Sequence, residues 1–170
     1  PLADEGKVAD YIPALAKVNP DQFGMCLTTI EGDIFAIRSS QTRFSIQSIS
    51  KVFAVALALS LKGEELWKLV GKEPSGNAFN SLFQLELEKG FARNPFINAG
   101  AIVVADILLD ELEDPENDFL TFVRTLCGDD SIDYNMEVAT SELETGYMNA
   151  AIANLLKYHG RIKNNIEYVL

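Results

Sequence analysis

The chain holds one histidine, one tryptophan and two cysteines. A Ser-His-Asp triad would have to use His159, which stands before Gly160 where a helix is expected to end and where a cation complements the dipole. A histidine-based metal site lacks a second histidine, and Cys26 and Cys127 are too far apart in sequence to supply ligand spacing. Those cysteines fall in an apolar strand-like run and at a helix end, so they are expected as buried free thiols, which fits a reducing cytoplasm. Positive charge is scarce as well. Fourteen Lys and Arg against 25 Asp and Glu leave a net charge of −11, which argues against nucleic acid or an anionic membrane as partner. The acidic clusters at 110–118 and 129–133 read as solvated loops, since neither meets a calcium-loop spacing. No apolar run reaches the roughly 20 residues that cross a bilayer. The segment 52–61 is too short, and 99–109 is short and interrupted by Asp106. Neither end resembles a signal peptide, and the expectation is a soluble cytoplasmic protein.

What is present is apolar content: 48% of 170 residues, enough for one substantial core and a single domain over 1–170. Two β-rich runs, 23–30 and 34–38, flank Glu31-Gly32-Asp33 and read as a hairpin. Helices are expected after Ser48, over 99–112 behind Asn98, over 118–126 up to Gly128, and over 141–158 with a break near Gly146, while 81–88 is expected as a short helix or irregular. The turn formers at 71–77 make a loop. One hairpin among so many helices leaves two strands with open edges, and an isolated pair is marginal. Either the chain is mostly helical with the hairpin laid on the bundle, or strands belonging to the sheet are missing.

The chemistry concentrates at Ser48 and Lys51, three residues apart where a polar stretch gives way to an apolar helix. Residues i and i+3 share a helical face, so the Lys51 amine can reach the Ser48 hydroxyl, and a first helical turn offers free N–H groups. A capping serine followed by a solvated lysine has the same spacing. The ten residues after Lys51 include one polar side chain, Ser60. A helix buried nearly all round would desolvate Lys51, and a desolvated amine gives up its proton more readily, as a general base must.

Four further stretches set that pair in a wider pattern: 6–13 with Tyr11-Ile12-Pro13; Glu73-Pro74-Ser75-Gly76 with Phe79-Asn80; 94–104 with Asn98-Ala99-Gly100; and 141–149 with Ser141-Glu142 and Asn149. Together with 44–51 they resemble the serine-dependent glutaminases of bacterial type, in order and over nearly the whole chain. The resemblance implies an α+β fold of the β-lactamase and transpeptidase kind, an antiparallel sheet packed on a mainly helical region, whose Ser-x-x-Lys signature it shares. It implies that Ser48 attacks the side-chain amide of L-glutamine while Lys51 takes the proton, with Tyr11 lining the site. Gln47 would touch substrate, and Asn98, Glu142 and Asn149 would hold its amino acid end. These residue types suit the task, a carboxylate for an α-ammonium and carboxamides for an α-carboxylate and amide.

Each residue also has a plainer reading. Asn98 could cap its helix, Glu142 could answer a first-turn dipole, and Tyr11 could be a surface-to-core anchor. Gln47 could be a solvated residue before the helix. Asn149 is a misfit by propensity in the middle of a helix. Met148 departs from the family, where an arginine precedes the asparagine. The family also continues with a Tyr-Phe segment carrying a further catalytic tyrosine and with a Lys-Ser-Gly strand, neither of which this sequence contains. The expectation is therefore the N-terminal part of a glutaminase domain with an incomplete sheet, needing neither metal nor organic cofactor, in a homo-oligomer, dimer or tetramer. A β-lactam or peptide acylase of the same fold and a non-catalytic glutamine-binding module are the alternatives.

Overall fold

The computed structural model describes residues 6–170. The described chain divides into two compact units. The first runs to Ser45 and includes Asn135–Thr145; the second comprises Ile46–Tyr134 and Gly146–Leu170.

In the first unit the hairpin forms where two apolar, β-rich runs meet a turn. Strands β1 (Gly24–Thr28) and β2 (Ile34–Arg38) pair antiparallel, with Cys26 opposite Ala36. Gly32 takes the positive φ of 93° that the turn requires and that side chains resist. Every strand residue is exposed, including Met25, Leu27, Phe35 and Ile37. The sheet has these two strands among the described residues, in agreement with an incomplete sheet. The opening segment bends at Tyr11 and Ile12, turns through Pro13 and Ala14, and enters a 3-10 turn, Leu15–Lys17. In the same unit Asn135 accepts from the backbone of Val138 at the start of one helix, Met136–Thr145.

The second unit holds the core. Its helices are α1 (Ser50–Lys62), α2 (Leu66–Leu69), α3 (Leu82–Leu87), α4 (Asn98–Glu111), α5 (Pro115–Cys127), then, past the helix of the first unit, which is α6, come α7 (Tyr147–Tyr158) and α8 (Ile166–Val169). Helix α4 packs against α1, α7 and α8 and buries Ile102, Val103, Val104, Ile107 and Leu108. Full burial of such side chains stabilises by about 1.5–3 kcal/mol each. Asp106 lies in that apolar stretch, 4% exposed. Its carboxylate accepts from the backbone N–H of Lys163 and of Asn164 and from the Asn164 side chain, which satisfies the buried charge and ties the chain after α7 to α4.

Several expectations are corrected. Helix α1 is buried on one face only, over Val55, Leu57 and Ala58, while Val52, Leu59 and Leu61 are exposed. Apolar composition cannot say which faces find a neighbour. Cys26 and Cys127 are free thiols but exposed. The acidic segment 110–118 is not one loop, because Asp110 and Glu111 close α4 and Glu116 and Asp118 form the first turn of α5. Asp114 caps α5 and Pro115 starts it, so that helix begins before the expected residue 118. The helix expected from residue 141 starts earlier, at Met136, while the break at Gly146 falls where expected, between α6 and α7. No helix among the described residues is long and apolar enough to cross a membrane.

Candidate active site

The segment that carries Ser48 is not yet α-helix. Gln47–Ile49 is a 3-10 turn, α1 begins at Ser50, and its N-terminal residue Ile49 offers no side-chain cap. Gln47 has a φ of 47°, a left-handed conformation that costs a residue with a Cβ and that its surroundings must hold. The Ser50 hydroxyl donates to the Gln47 carbonyl at 2.7 Å, pinning that turn. Ser48 is exposed, and Lys51, half-buried, follows one turn later on α1.

The Lys51 amine is held in place. Its Nζ donates to Asn98 Oδ1 at 2.8 Å and to the Phe96 carbonyl at 3.1 Å. Asn98 in turn donates through Nδ2 to Asn149 Oδ1 at 2.9 Å. The three side chains come from the first turns of α1, α4 and α7, helices fixed by the common core.

This arrangement decides among the readings of those residues. Asn98 does not cap α4: the N-terminal residue is Ile97, which makes no cap bond, and the Asn98 amide is spent on Lys51 and Asn149. Capping of this turn falls to Asn94, whose Oδ1 accepts from the N–H of Phe96 at 3.0 Å and of Ile97 at 3.1 Å. Asn149 lies in the first turn of α7 rather than in the middle of a helix. Gln47 is half-buried rather than a solvated residue.

Tyr11 and Glu142 belong to the first unit. Tyr11 is 68% exposed, and the residue that anchors its segment is Ile12, 3% exposed. Glu142 is half-buried and sits in the second half of α6, so a first-turn dipole role does not apply. The two segments are joined: Ala14 N–H donates to the Ser141 hydroxyl at 3.2 Å, and Lys17 pairs with Glu137 at 2.5 Å.

Sequence reading missed Asn94 and the Phe96 carbonyl. The signal was Asn94-Pro95, a turn-forming pair just ahead of Asn98. Loop 71–77 is attached to the same place: Asn94 Nδ2 donates to the Glu73 carbonyl at 2.8 Å, Glu73 N–H donates to the Arg93 carbonyl at 2.8 Å, and Asn98 N–H donates to the Phe79 carbonyl at 2.9 Å. A Cβ at Gly100 would overlap the Asn94 carbonyl oxygen, so only glycine lets the turn before α4 lie this close to the helix.

A glutaminase from Christiangramia forsetii is 54% identical over 97% of this chain and 54% of its own length. A solved structure of a probable glutaminase, ybaS, superposes with a TM-score of 0.89 at 33% identity, covering 96% of this chain and 53% of that one. A probable glutaminase from Bacillus subtilis, solved in complex with 6-diazo-5-oxo-L-norleucine, superposes with a TM-score of 0.79 at 32% identity, over 99% of this chain and 51% of that one. The chain thus spans about half the length of the relatives it matches, and it has their β-lactamase-like fold with an incomplete sheet. The glutaminase family pattern matches residues 6–170, and the chain belongs to the glutaminase family.

Proposed function

We propose that this protein hydrolyses L-glutamine to L-glutamate and ammonia through an acyl-enzyme on Ser48. The observation that carries this reading is the Lys51 amine, held on Asn98 and the Phe96 carbonyl one turn after Ser48. A neutral amine keeps two N–H bonds, so it can make both contacts while its lone pair takes the Ser48 proton. Ser48 Oγ then attacks the side-chain amide carbon, and the proton held by Lys51 passes to the departing ammonia. Water, deprotonated by Lys51 in the same way, attacks the ester carbon, and Lys51 returns that proton to Ser48 Oγ as glutamate leaves. The chemistry needs neither a metal nor an organic cofactor.

In this reading Asn98 and Asn149, already hydrogen-bonded to each other, receive the amino acid end of the substrate, with Glu142 facing its α-ammonium. Tyr11 lines the site and Gln47 touches substrate. The Bacillus subtilis neighbour was solved with 6-diazo-5-oxo-L-norleucine, an α-amino acid with a carbonyl where glutamine has its side-chain amide, which supports a ligand of that class. The free thiols of Cys26 and Cys127 support a reducing, cytoplasmic setting. A homo-oligomer, dimer or tetramer, completes the reading, with residues 1–170 as the N-terminal part of one catalytic domain.

The test is ammonia release from glutamine alongside glutamine binding by calorimetry. Ser48→Ala should retain binding and lose turnover by about a thousand-fold or more, as removal of a nucleophile does. Wild-type-like release from that variant refutes the mechanism. Binding without release in the unmutated protein would instead assign a non-catalytic glutamine-binding module.

A further inference from the structure

We infer that Asn94 is a positioning residue for Lys51: through its side-chain oxygen it fixes the turn whose Phe96 carbonyl and Asn98 side chain hold the amine. The inference rests on the proposed role of Lys51 and goes beyond it. Asn94 Oδ1 accepts from the N–H groups of Phe96 and Ile97, at 3.0 and 3.1 Å, and those N–H groups belong to the peptide units on either side of the Phe96 α-carbon. Fixing both leaves the Phe96 carbonyl little freedom, because that carbonyl and the Ile97 N–H share one planar peptide. The carbonyl therefore aims at Lys51 Nζ, 3.1 Å away. Asn98 is the next residue after Ile97, so the same turn sets where its amide meets Lys51 and Asn149.

Asn94 is itself held from two sides. Its Nδ2 donates to the Glu73 carbonyl at 2.8 Å, which fixes the amide orientation, since a carbonyl can only accept and the oxygen must then face Phe96 and Ile97. Its backbone carbonyl lies against Gly100, where a Cβ would overlap it. The half-buried side chain thus couples loop 71–77 to the Lys51 anchor. A misplacement of about 1 Å in a catalytic group costs roughly a hundred-fold in rate, which sets the effect expected when the clamp is lost.

Two substitutions in the full protein separate this role from a purely structural one. Asn94→Ala removes both functions of the side chain; Asn94→Asp keeps the accepting oxygens for Phe96 and Ile97 and loses the donor to Glu73. Each is read by kcat and KM for ammonia release, and by the rate at which an amine-modifying reagent labels Lys51, mapped by peptide mass spectrometry with the exposed Lys7 and Lys68 as internal references. Asn94→Ala should lower kcat about a hundred-fold with KM changed less than about three-fold, and should accelerate labelling of Lys51 several-fold relative to the references. Asn94→Asp should keep kcat within about ten-fold of wild type and Lys51 labelling near the wild-type rate. Equal losses in both variants, or an Asn94→Ala protein with wild-type kcat and labelling, overturn the inference. Should Asn94→Ala not fold, a folded Asn94→Asp decides alone: wild-type-like labelling supports the clamp and accelerated labelling overturns it. The labelling needs no turnover, so a protein without glutaminase activity would refute the proposed function and still test the role of Asn94.

Discussion

Asn98 and Asn149 share a hydrogen bond of 2.9 Å between the first turns of α4 and α7, with Asn98 as the donor. The direction is dictated by Lys51. An ammonium or amine donates to Asn98 Oδ1 at 2.8 Å, so the oxygen of that amide faces the lysine and the nitrogen is left for Asn149. One carboxamide therefore orients the base and a second polar side chain at once, and no other neutral residue of its size both donates and accepts in this geometry.

Asn98→Asp tests that dual role. The carboxylate keeps an acceptor on Lys51 but places a negative charge beside the amine, favouring its protonated form, and it can no longer donate to Asn149. Ammonia release at neutral pH should fall about ten-fold or more, and the acid limb of the pH–rate profile, where Lys51 must lose its proton, should move to higher pH by about one unit or more. A rate loss with an unmoved profile would separate Asn98 from the protonation of Lys51.

Asp106→Ala should destabilise the protein by about 3 kcal/mol, because it strips the Lys163 and Asn164 N–H groups of a charged, buried acceptor. Urea unfolding measures the loss, and a change below about 1 kcal/mol would mean water replaces the carboxylate. Asp106→Asn keeps one accepting oxygen and should lose less.

What the sequence disclosed follows from how local each signal is. The hairpin was legible because two β-rich apolar runs flank the turn formers Glu31-Gly32-Asp33. The break at Gly146 was legible from the glycine itself. The conformation of Ser48 was not: a 3-10 turn with Gln47 at positive φ is imposed by tertiary contacts, and glutamine gives no hint of it. The start of α5 was legible in Asp114-Pro115 but was set too late. Asn94, 43 positions from Lys51 in sequence, acts by way of a carbonyl, and backbone acceptors leave no mark in residue identity. The motif residues Lys51, Asn98 and Asn149 do converge, whereas Tyr11 and Glu142 fall in the other unit.

The acid limb of stability should carry a contribution from Asp110. Hydrogen bonds from Lys163 and from Asn164 hold its carboxyl below the usual carboxylate range. A depressed folded-state pKa stabilises fully above the unfolded value, about pH 4, and the contribution disappears as pH falls through the folded value. Asp110→Asn should therefore flatten the pH dependence of unfolding free energy below about pH 4 and leave its shape at neutral pH unchanged. The effect is small because Lys163 is largely exposed. An NMR titration of the Asp110 carboxyl checks the premise, and a midpoint at or above the ordinary value sinks it.

Glu142 is the carboxylate assigned to the α-ammonium of glutamine, and Glu142→Gln isolates that charge while keeping the shape of the side chain. A charge-assisted hydrogen bond contributes about 1.5–3 kcal/mol, so glutamine should bind about ten- to a hundred-fold more weakly. A glutamine analogue lacking the α-amino group has no ammonium to lose and should bind both proteins equally. Raised ionic strength should weaken glutamine binding more in wild type than in the variant, since only wild type has the charge pair to screen. Calorimetric titration of both ligands against both proteins makes the comparison. Equal weakening for the two ligands would place Glu142 among the residues that hold α6 in the first unit rather than among those that meet substrate.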